Sequence, residues 1–393
     1  VDRLSPISPA QAAEIALRQY GVGGTAERLA SEHDDTFRLA DADGVARLLK
    51  ISVAPAATDS PGLQTALLLH LARVAPELPV QRVITTLDGQ SEITLTLTLD
   101  QAGEGGGADG TSGTGGAGGG EPRLVRLTSW LDGRLLGRGT TSVGLRREIG
   151  VTLGGLNIAL RGFAHPGARR THRWDLQNFG ALRPLLEQLP ESGLLPVVSR
   201  ALAADGLTAD GPAADEVREL VDGGVRRALA DCLDRFEAVV RPALAGVPVQ
   251  VIHTDFHGEN LLTDGGRITG ILDFGDALAG PVAMDVGVAA CYQLGAGGPG
   301  GDVLAPALDV VAGYHAVDPL SGADLDLVAE FLVARVAARI IVSQSSAARE
   351  PANSGYLLRR TPQAVAHLAA LRAVPSDEIG RRLRAACPLE VVR

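Results

Sequence analysis

His253-Thr254-Asp255-Phe256-His257-Gly258-Glu259-Asn260, followed by Asp273-Phe274-Gly275-Asp276, sets out a carboxylate, an amide and a second carboxylate in a fixed order. Phosphoryl transfer needs such a set. It asks for one base facing an acceptor hydroxyl and for oxygen ligands that hold Mg2+ between phosphates. In this reading Asp255 is the base, while Asn260 and Asp273 are the metal ligands. A lone Asp-Phe-Gly or a lone His-x-Asp arises by chance in many chains, and it is their joint, ordered occurrence that carries weight. His253 and His257 also have the i, i+4 spacing of helical zinc ligands, but no Glu directly follows His253 and no Cys is near. His253 reads better as a brace for the loop. His257 has no assigned role, and Glu259 reads as a solvated loop residue or a third carboxylate near the metal.

These residues need a scaffold. Val249 to Ile252 and Leu261 to Leu262 are apolar and strand-like, Asp264-Gly265-Gly266 is a turn, and Ile268 to Leu272 is a second apolar run. The pattern places both loops at the ends of strands on one edge. Lys50 is the only lysine in 393 residues and lies in the strand-like run Ala46 to Ser52. Its compact charge suits nucleotide phosphates in a way that arginine's planar fork does not. No glycine stands directly before it, so a P-loop is excluded.

Together, Lys50, His253-x-Asp255 with Asn260, and Asp273-Phe274-Gly275-Asp276 resemble the aminoglycoside phosphotransferase and choline kinase superfamily. Ser31 to Leu39, Leu127 to Gly133, Gly162 to Pro166 with Arg173 to Leu176, and Ser343-Gln344-Ser345 are similar to its hydroxylysine kinase-like branch, whose kinase-like domain also occurs fused to class III aminotransferases. The resemblance implies an α+β, two-lobed protein-kinase-like fold, with an antiparallel sheet plus helix in the N-lobe and a mostly helical C-lobe. It also implies ATP or GTP as co-substrate, phosphates covered by the turn at Ser31, and a purine edge met by the backbone of Ser129 to Leu131. Trp174, Asp175, Asp276 and Asp285 are candidates for the acceptor pocket, the two later aspartates for a substrate ammonium or for a helix start.

Departures from the wider kinase pattern narrow the substrate class. Between Lys50 and Leu78 the only acids are Asp59 and Glu77, so Gln64 stands where relatives place the glutamate that orients the lysine. A glycine-rich phosphate loop is missing before Lys50, because Gly21-Val22-Gly23-Gly24 reads as a helix stop after a capping-box start at Ser8. Ala75-Pro76-Glu77 precedes the catalytic loop rather than following Asp-Phe-Gly, which argues against protein substrates.

Composition agrees with a folded enzyme, at 45% hydrophobic and 21% charged residues. A net charge of −10 argues against broad nucleic-acid binding and is compatible with a cationic small substrate. Cys232, Cys291 and Cys387 are odd in number and far apart, as expected of thiols in a reducing cytoplasm. No run reaches membrane length and no signal pattern opens the chain, so the expected location is cytoplasmic, away from membranes. The expected organisation is an N-lobe over 1–128, a hinge over 129–134 and a C-lobe over 135–393, with Gln101 to Glu121 as a disordered glycine-rich insertion. Strands are expected near Thr25 to Ala30, Thr36 to Leu39, Ala46 to Ser52, Val80 to Thr86, Glu92 to Leu99 and Arg123 to Trp130, and helices over Leu63 to Ala72, Leu145 to Leu160, Glu216 to Val239 and Ala323 to Gln344. The functional expectation is a kinase for a hydroxyl on a small amine-bearing molecule, hydroxylysine or a related amino alcohol ahead of an aminoglycoside antibiotic. A nucleotide-binding pseudokinase is the reading from another class, and the sequence leaves monomer and homodimer open.

Overall fold

Helix α1 (Pro9–Tyr20) begins and ends where its capping residues dictate. Ser8 Oγ accepts from Gln11 N while the Gln11 side chain accepts from Ser8 N, and Gly21, at φ 67°, sends its N–H back to Leu17 O. The computed structural model describes residues 7–31, 34–53, 60–97, 121–137, 141–204, 220, 224–295, 301–375 and 377–388. They form two compact units: Val1–Pro76 with Val80–Asp132 and His165–Gly167, and Glu77–Pro79 with Gly133–Ala164 and Ala168–Arg393.

The first unit is an antiparallel sheet with helices. Its strands are β1 (Thr25–Leu29), β2 (Asp35–Ala40), β3 (Ala46–Val53), β4 (Val83–Ile84), β5 (Ile93–Leu97) and β6 (Glu121–Ser129), and α2 (Ser60–Val74) lies between β3 and β4 in sequence. The spatial order is β1-β2-β3-β6-β4, with β5 also pairing β6. Strand alternation separates the two faces. Phe37, Leu39, Leu49, Ile51, Val125 and Leu127 form a core with Ile15 and Tyr20 of α1, so Lys50, between Leu49 and Ile51, points to the other face. The strand expected over Val80 to Thr86 shrinks to β4, because the chain turns at Thr86, whose N–H goes to Gln90 O at 2.8 Å. The glycine-rich insertion lies outside the described residues, apart from Glu121 at the start of β6.

The second unit is mostly helical. Its longer helices are α3 (Val143–Ala159), α4 (Val225–Arg235), α5 (Val282–Cys291), α6 (Ala305–His315), α7 (Gly322–Arg349), α8 (Thr361–Arg372) and α9 (Glu378–Ala386). Only part of the helix expected over Glu216 to Val239 is described: α4, then a π turn at Phe236–Val240. Helices α3 and α6 touch backbone to backbone, since a Cβ on Gly150 would strike the Val310 carbonyl and one on Gly313 the Arg147 carbonyl. Helix α7 is buried on nearly every side, the mark of a core helix, yet it carries Arg335 and Arg339 among its buried residues.

Small sheets carry the loops of interest. β8 (Gln250–Ile252) pairs β11 (Leu278–Gly280), whereas β9 (Leu261–Thr263) lies between β7 (Arg134–Leu135) and β10 (Ile268–Ile271). The two loops therefore do not leave one sheet edge as expected. The segment 253–260 joins two separate sheets, and long-range hydrogen bonds rather than a shared hairpin hold it. Cys232, Cys291 and Cys387 are free thiols. No helix among the described residues is long and apolar enough to cross a membrane.

Candidate active site

The loop after β8 is braced from beneath. Asp285, in the first turn of α5, is fully buried, and its carboxylate accepts from His253 N at 3.2 Å and Thr254 N at 2.7 Å. Thr254 takes φ 67°, a strained conformation for a β-branched residue, and its hydroxyl donates to Asp276 O at 2.8 Å. His253 Nδ1 accepts from Asp255 N at 3.3 Å while Nε2 reaches Leu272 O at 3.0 Å, partners that call for the neutral ring protonated on Nε2. Phe256 and Phe274 enclose that ring at centroid distances of 5.6 and 4.8 Å. Gly258 passes so close to the Gly137 carbonyl that no Cβ would fit.

This frame presents Asp255. Asn260 Nδ2 donates to its Oδ2 at 2.8 Å, His257 Nε2 lies 3.1 Å from the same oxygen, and Arg335 Nη2 lies 2.6 Å from Oδ1. A carboxylate has about four acceptor sites, so these donors leave room for one more. Burial alone would raise the Asp255 pKa, but the hydrogen bond from His257 and then the charge of Arg335 hold it far below the usual carboxylate range. Arg335 is itself buried, stacks over Trp174 at 4.7 Å and donates to Tyr292 Oη at 3.0 Å.

Asn260 and Asp273 are tied to one another through the backbone, because Leu272 N donates to Asn260 O at 2.9 Å. Asp273 has φ 53° and accepts from Gly275 N at 3.1 Å. Among the described residues no group of three or more His, Cys, Asp or Glu side chains could hold a metal alone. An amide oxygen and a carboxylate are nevertheless hard ligands of the kind magnesium takes when phosphates supply the rest. Asp276 fits that chemistry. Burial first, then the negative charge of Asp255, with a smaller contribution from Asp273, push its pKa up, and a cation nearby would relieve this repulsion.

In the first unit, Lys50 Nζ pairs with Asp34 at 2.9 Å. Gln64 does not stand alone beside the lysine: its Oε1 accepts from Arg126 Nη2 at 2.7 Å, and Arg126 is the direct cross-strand neighbour of Lys50. A cation in register with Lys50 competes for the amide, and the carboxylate facing Lys50 comes from the turn before β2. Ser31 is exposed at that turn. At Ser129 the N–H is bound to Arg82 O at 2.8 Å and the hydroxyl accepts from Arg82 N at 2.9 Å, which ties this end of β6 to the segment before β4.

Two pocket candidates take the structural role that was open to them. Asp285 is not exposed and each of its oxygens accepts a backbone N–H, which makes it a brace for the loop rather than a partner for a substrate ammonium. Asp175 is buried and caps the following turn, accepting from Gln177 N at 3.0 Å and Asn178 Nδ2 at 2.8 Å. Trp174, by contrast, lies against Arg335 and so belongs to the surroundings of Asp255. The zinc reading fails because both nitrogens of each ring are engaged, Nδ1 with Asp255 N and Glu259 N, and Nε2 with Leu272 O and the Asp255 carboxylate. Arg335, Tyr292 and Arg339 were missed by sequence reasoning, though two arginines one turn apart inside an apolar run from Phe331 to Val342 signalled buried charges that need partners. Replacing Asp285 with alanine strands two buried N–H groups. Urea denaturation is expected to show a loss of about 2–5 kcal/mol, and activity should fall with it because Thr254 loses its restraint.

A family model described as "Phosphotransferase enzyme family" matches residues 25–325. Hydroxylysine kinase from Danio rerio is 26% identical over 391 residues, covering 96% of this chain and 94% of that one. Among solved structures, an amicoumacin kinase in complex with AMP-PNP, Ca2+ and its ligand superposes with TM-score 0.58 at 14% identity, covering 91% of this chain and 93% of that one. A microcompartment-associated aminopropanol kinase gives TM-score 0.57 at 18% identity, with 94% and 99% covered. The two structures show that the fold is shared.

Proposed function

The chain belongs to the phosphotransferase enzyme family and is a small-molecule kinase, and on that premise we propose that it transfers the γ-phosphate of ATP or GTP to a hydroxyl of a small amine-bearing molecule, hydroxylysine or a related amino alcohol. The observation that carries this reading is the Asp255 carboxylate held by Asn260, His257 and Arg335, with acceptor capacity for one more donor. The acceptor hydroxyl supplies that donor. A carboxylate held so far below its usual pKa is a weak base, so Asp255 orients the hydroxyl and takes its proton late, as the new P–O bond forms and the bond to the bridging oxygen breaks. Asn260 and Asp273 are the proposed Mg2+ ligands, and the ion would neutralise charge building on the phosphates. Lys50, with Ser31 in the turn that carries its partner Asp34, is assigned to the phosphates, and the backbone of Ser129 to Leu131 to the purine edge. Asp276 is the candidate for the acceptor's ammonium. The free thiols support cytoplasmic work.

Purified protein with Mg2+ and ATP or GTP is expected to release nucleoside diphosphate in proportion to added hydroxylysine, read by a coupled assay. If nucleotide raises the melting temperature but no hydroxylated amine provokes release, the pseudokinase reading replaces this one.

A further inference from the structure

A polar cavity of about 60 Å³ opens beside the catalytic loop, within the second unit. His257, Glu259, Tyr292, Arg339, Arg360 and His367 line it. Most of their charges are accounted for. His257 donates to Asp255, and Glu259 pairs with Arg360 and, at 3.4 Å, with Arg359. Arg339 differs. It is only 7% exposed, its guanidinium faces the Tyr292 ring at 4.8 Å, and no carboxylate pairs with it among the described residues. Arg335, one turn earlier on α7, shares the Tyr292 ring but is neutralised by Asp255 at 2.6 Å.

A buried guanidinium without a counter-ion is costly, and a fold keeps one where a ligand supplies the charge. A second observation points the same way. His367 is 3% exposed, and neither ring nitrogen reaches hydrogen-bond geometry with a protein group, although the Gly295 carbonyl lies beside the ring. Burial first, then Arg339, lower its pKa to about 3, so it stays neutral and can donate one hydrogen bond to an anion. The cavity has room for a small group such as one planar carboxylate, which the arginine fork matches with two parallel bonds.

We infer that Arg339 and His367 form the subsite for the acceptor's carboxylate, so that the acceptor is a hydroxylated amino acid rather than a carboxylate-free amino alcohol or aminoglycoside. The inference rests on the kinase reading above for the position of the hydroxyl. His257 links the two ends, with Nε2 3.1 Å from Asp255 and its ring 4.4 Å from Tyr292 in the cavity wall.

L-lysine, which lacks the reacting hydroxyl, and cadaverine, which also lacks the carboxylate, separate subsite from chemistry. In calorimetry on the whole chain, lysine should bind at least about tenfold more tightly than cadaverine. Arg339→Gln should erase that difference and Arg339→Lys restore part of it. Equal binding of the two ligands, or a preference unchanged in Arg339→Gln, overturns the subsite. Should Arg339→Gln fail to fold, the wild-type pair alone decides. Turnover gives the second arm: hydroxylysine should show a lower KM than its decarboxylated analogue at similar kcat. A lysine preference lost in Arg339→Gln without phosphate transfer to hydroxylysine leaves the subsite standing and sinks the kinase reading for that acceptor. Equal KM for the two acceptors leaves the kinase and sinks the subsite.

Discussion

Asp255→Asn is expected to lower kcat by about 10²–10⁴-fold, the range for a lost base, while nucleotide still raises the melting temperature. The asparagine keeps the size of the side chain but loses the charge that orients a hydroxyl. Asp255→Ala goes further, because it leaves Arg335 buried and unpaired, and breaking such a pair from one side costs about 3–5 kcal/mol. The two variants thus separate chemistry from stability: both lose turnover, and alanine loses more of the melting temperature than asparagine, which keeps an acceptor oxygen for Arg335. The sign of the pH dependence follows from the depressed pKa. Asp255 contributes stability that is fully present above the ordinary carboxylate pKa of about 4 and is lost as pH falls through the lower folded value. Between about pH 5 and 8 the stability gap between wild type and Asp255→Asn should therefore stay constant in urea melts. Full turnover in Asp255→Asn would remove Asp255 from the chemistry.

Asp273→Asn should have the other large effect, a loss of kcat/KM of about 10²–10³-fold, together with loss of the magnesium dependence of nucleotide binding. The expectation rests on the crowding of negative charge at this place. Asp273 and Asp255 both push the Asp276 pKa up, after burial, so the site gains from a cation. Removing one charge from that group has a signature that a folding defect lacks. In Asp273→Asn, nucleotide should shift the melting temperature equally with Mg2+ and with chelator, whereas wild type should respond mainly with Mg2+. A variant that kept the wild-type response would leave Asp273 with a structural role only, consistent with its bond to Gly275 N.

Much of the architecture could be read before any coordinates. Lys50 was placed in the strand-like run Ala46 to Ser52, which is β3, and Ser8 with Gly21 set the bounds of α1. These are local matters, decided by period and by the few residues able to cap a helix. The strand near Val80 was overread because its apolar pattern persists where the backbone turns at Thr86. Asp285 and Asp175 were ambiguous for a related reason: a carboxylate at a helix start looks the same whether it meets a ligand or its own chain.

The sequence by itself determined the class of chemistry, a phosphotransferase, because Asp255, Asn260 and Asp273, the proposed base and oxygen ligands, come in an order that few other reactions require. Only the tertiary structure decided their electrostatic state. Arg335 lies far along the chain from Asp255 yet sits 2.6 Å from its Oδ1, and Arg339 is buried with no acid among the described residues to answer it. A charge's strength depends on distance and on the water around it, neither of which is written in residue order.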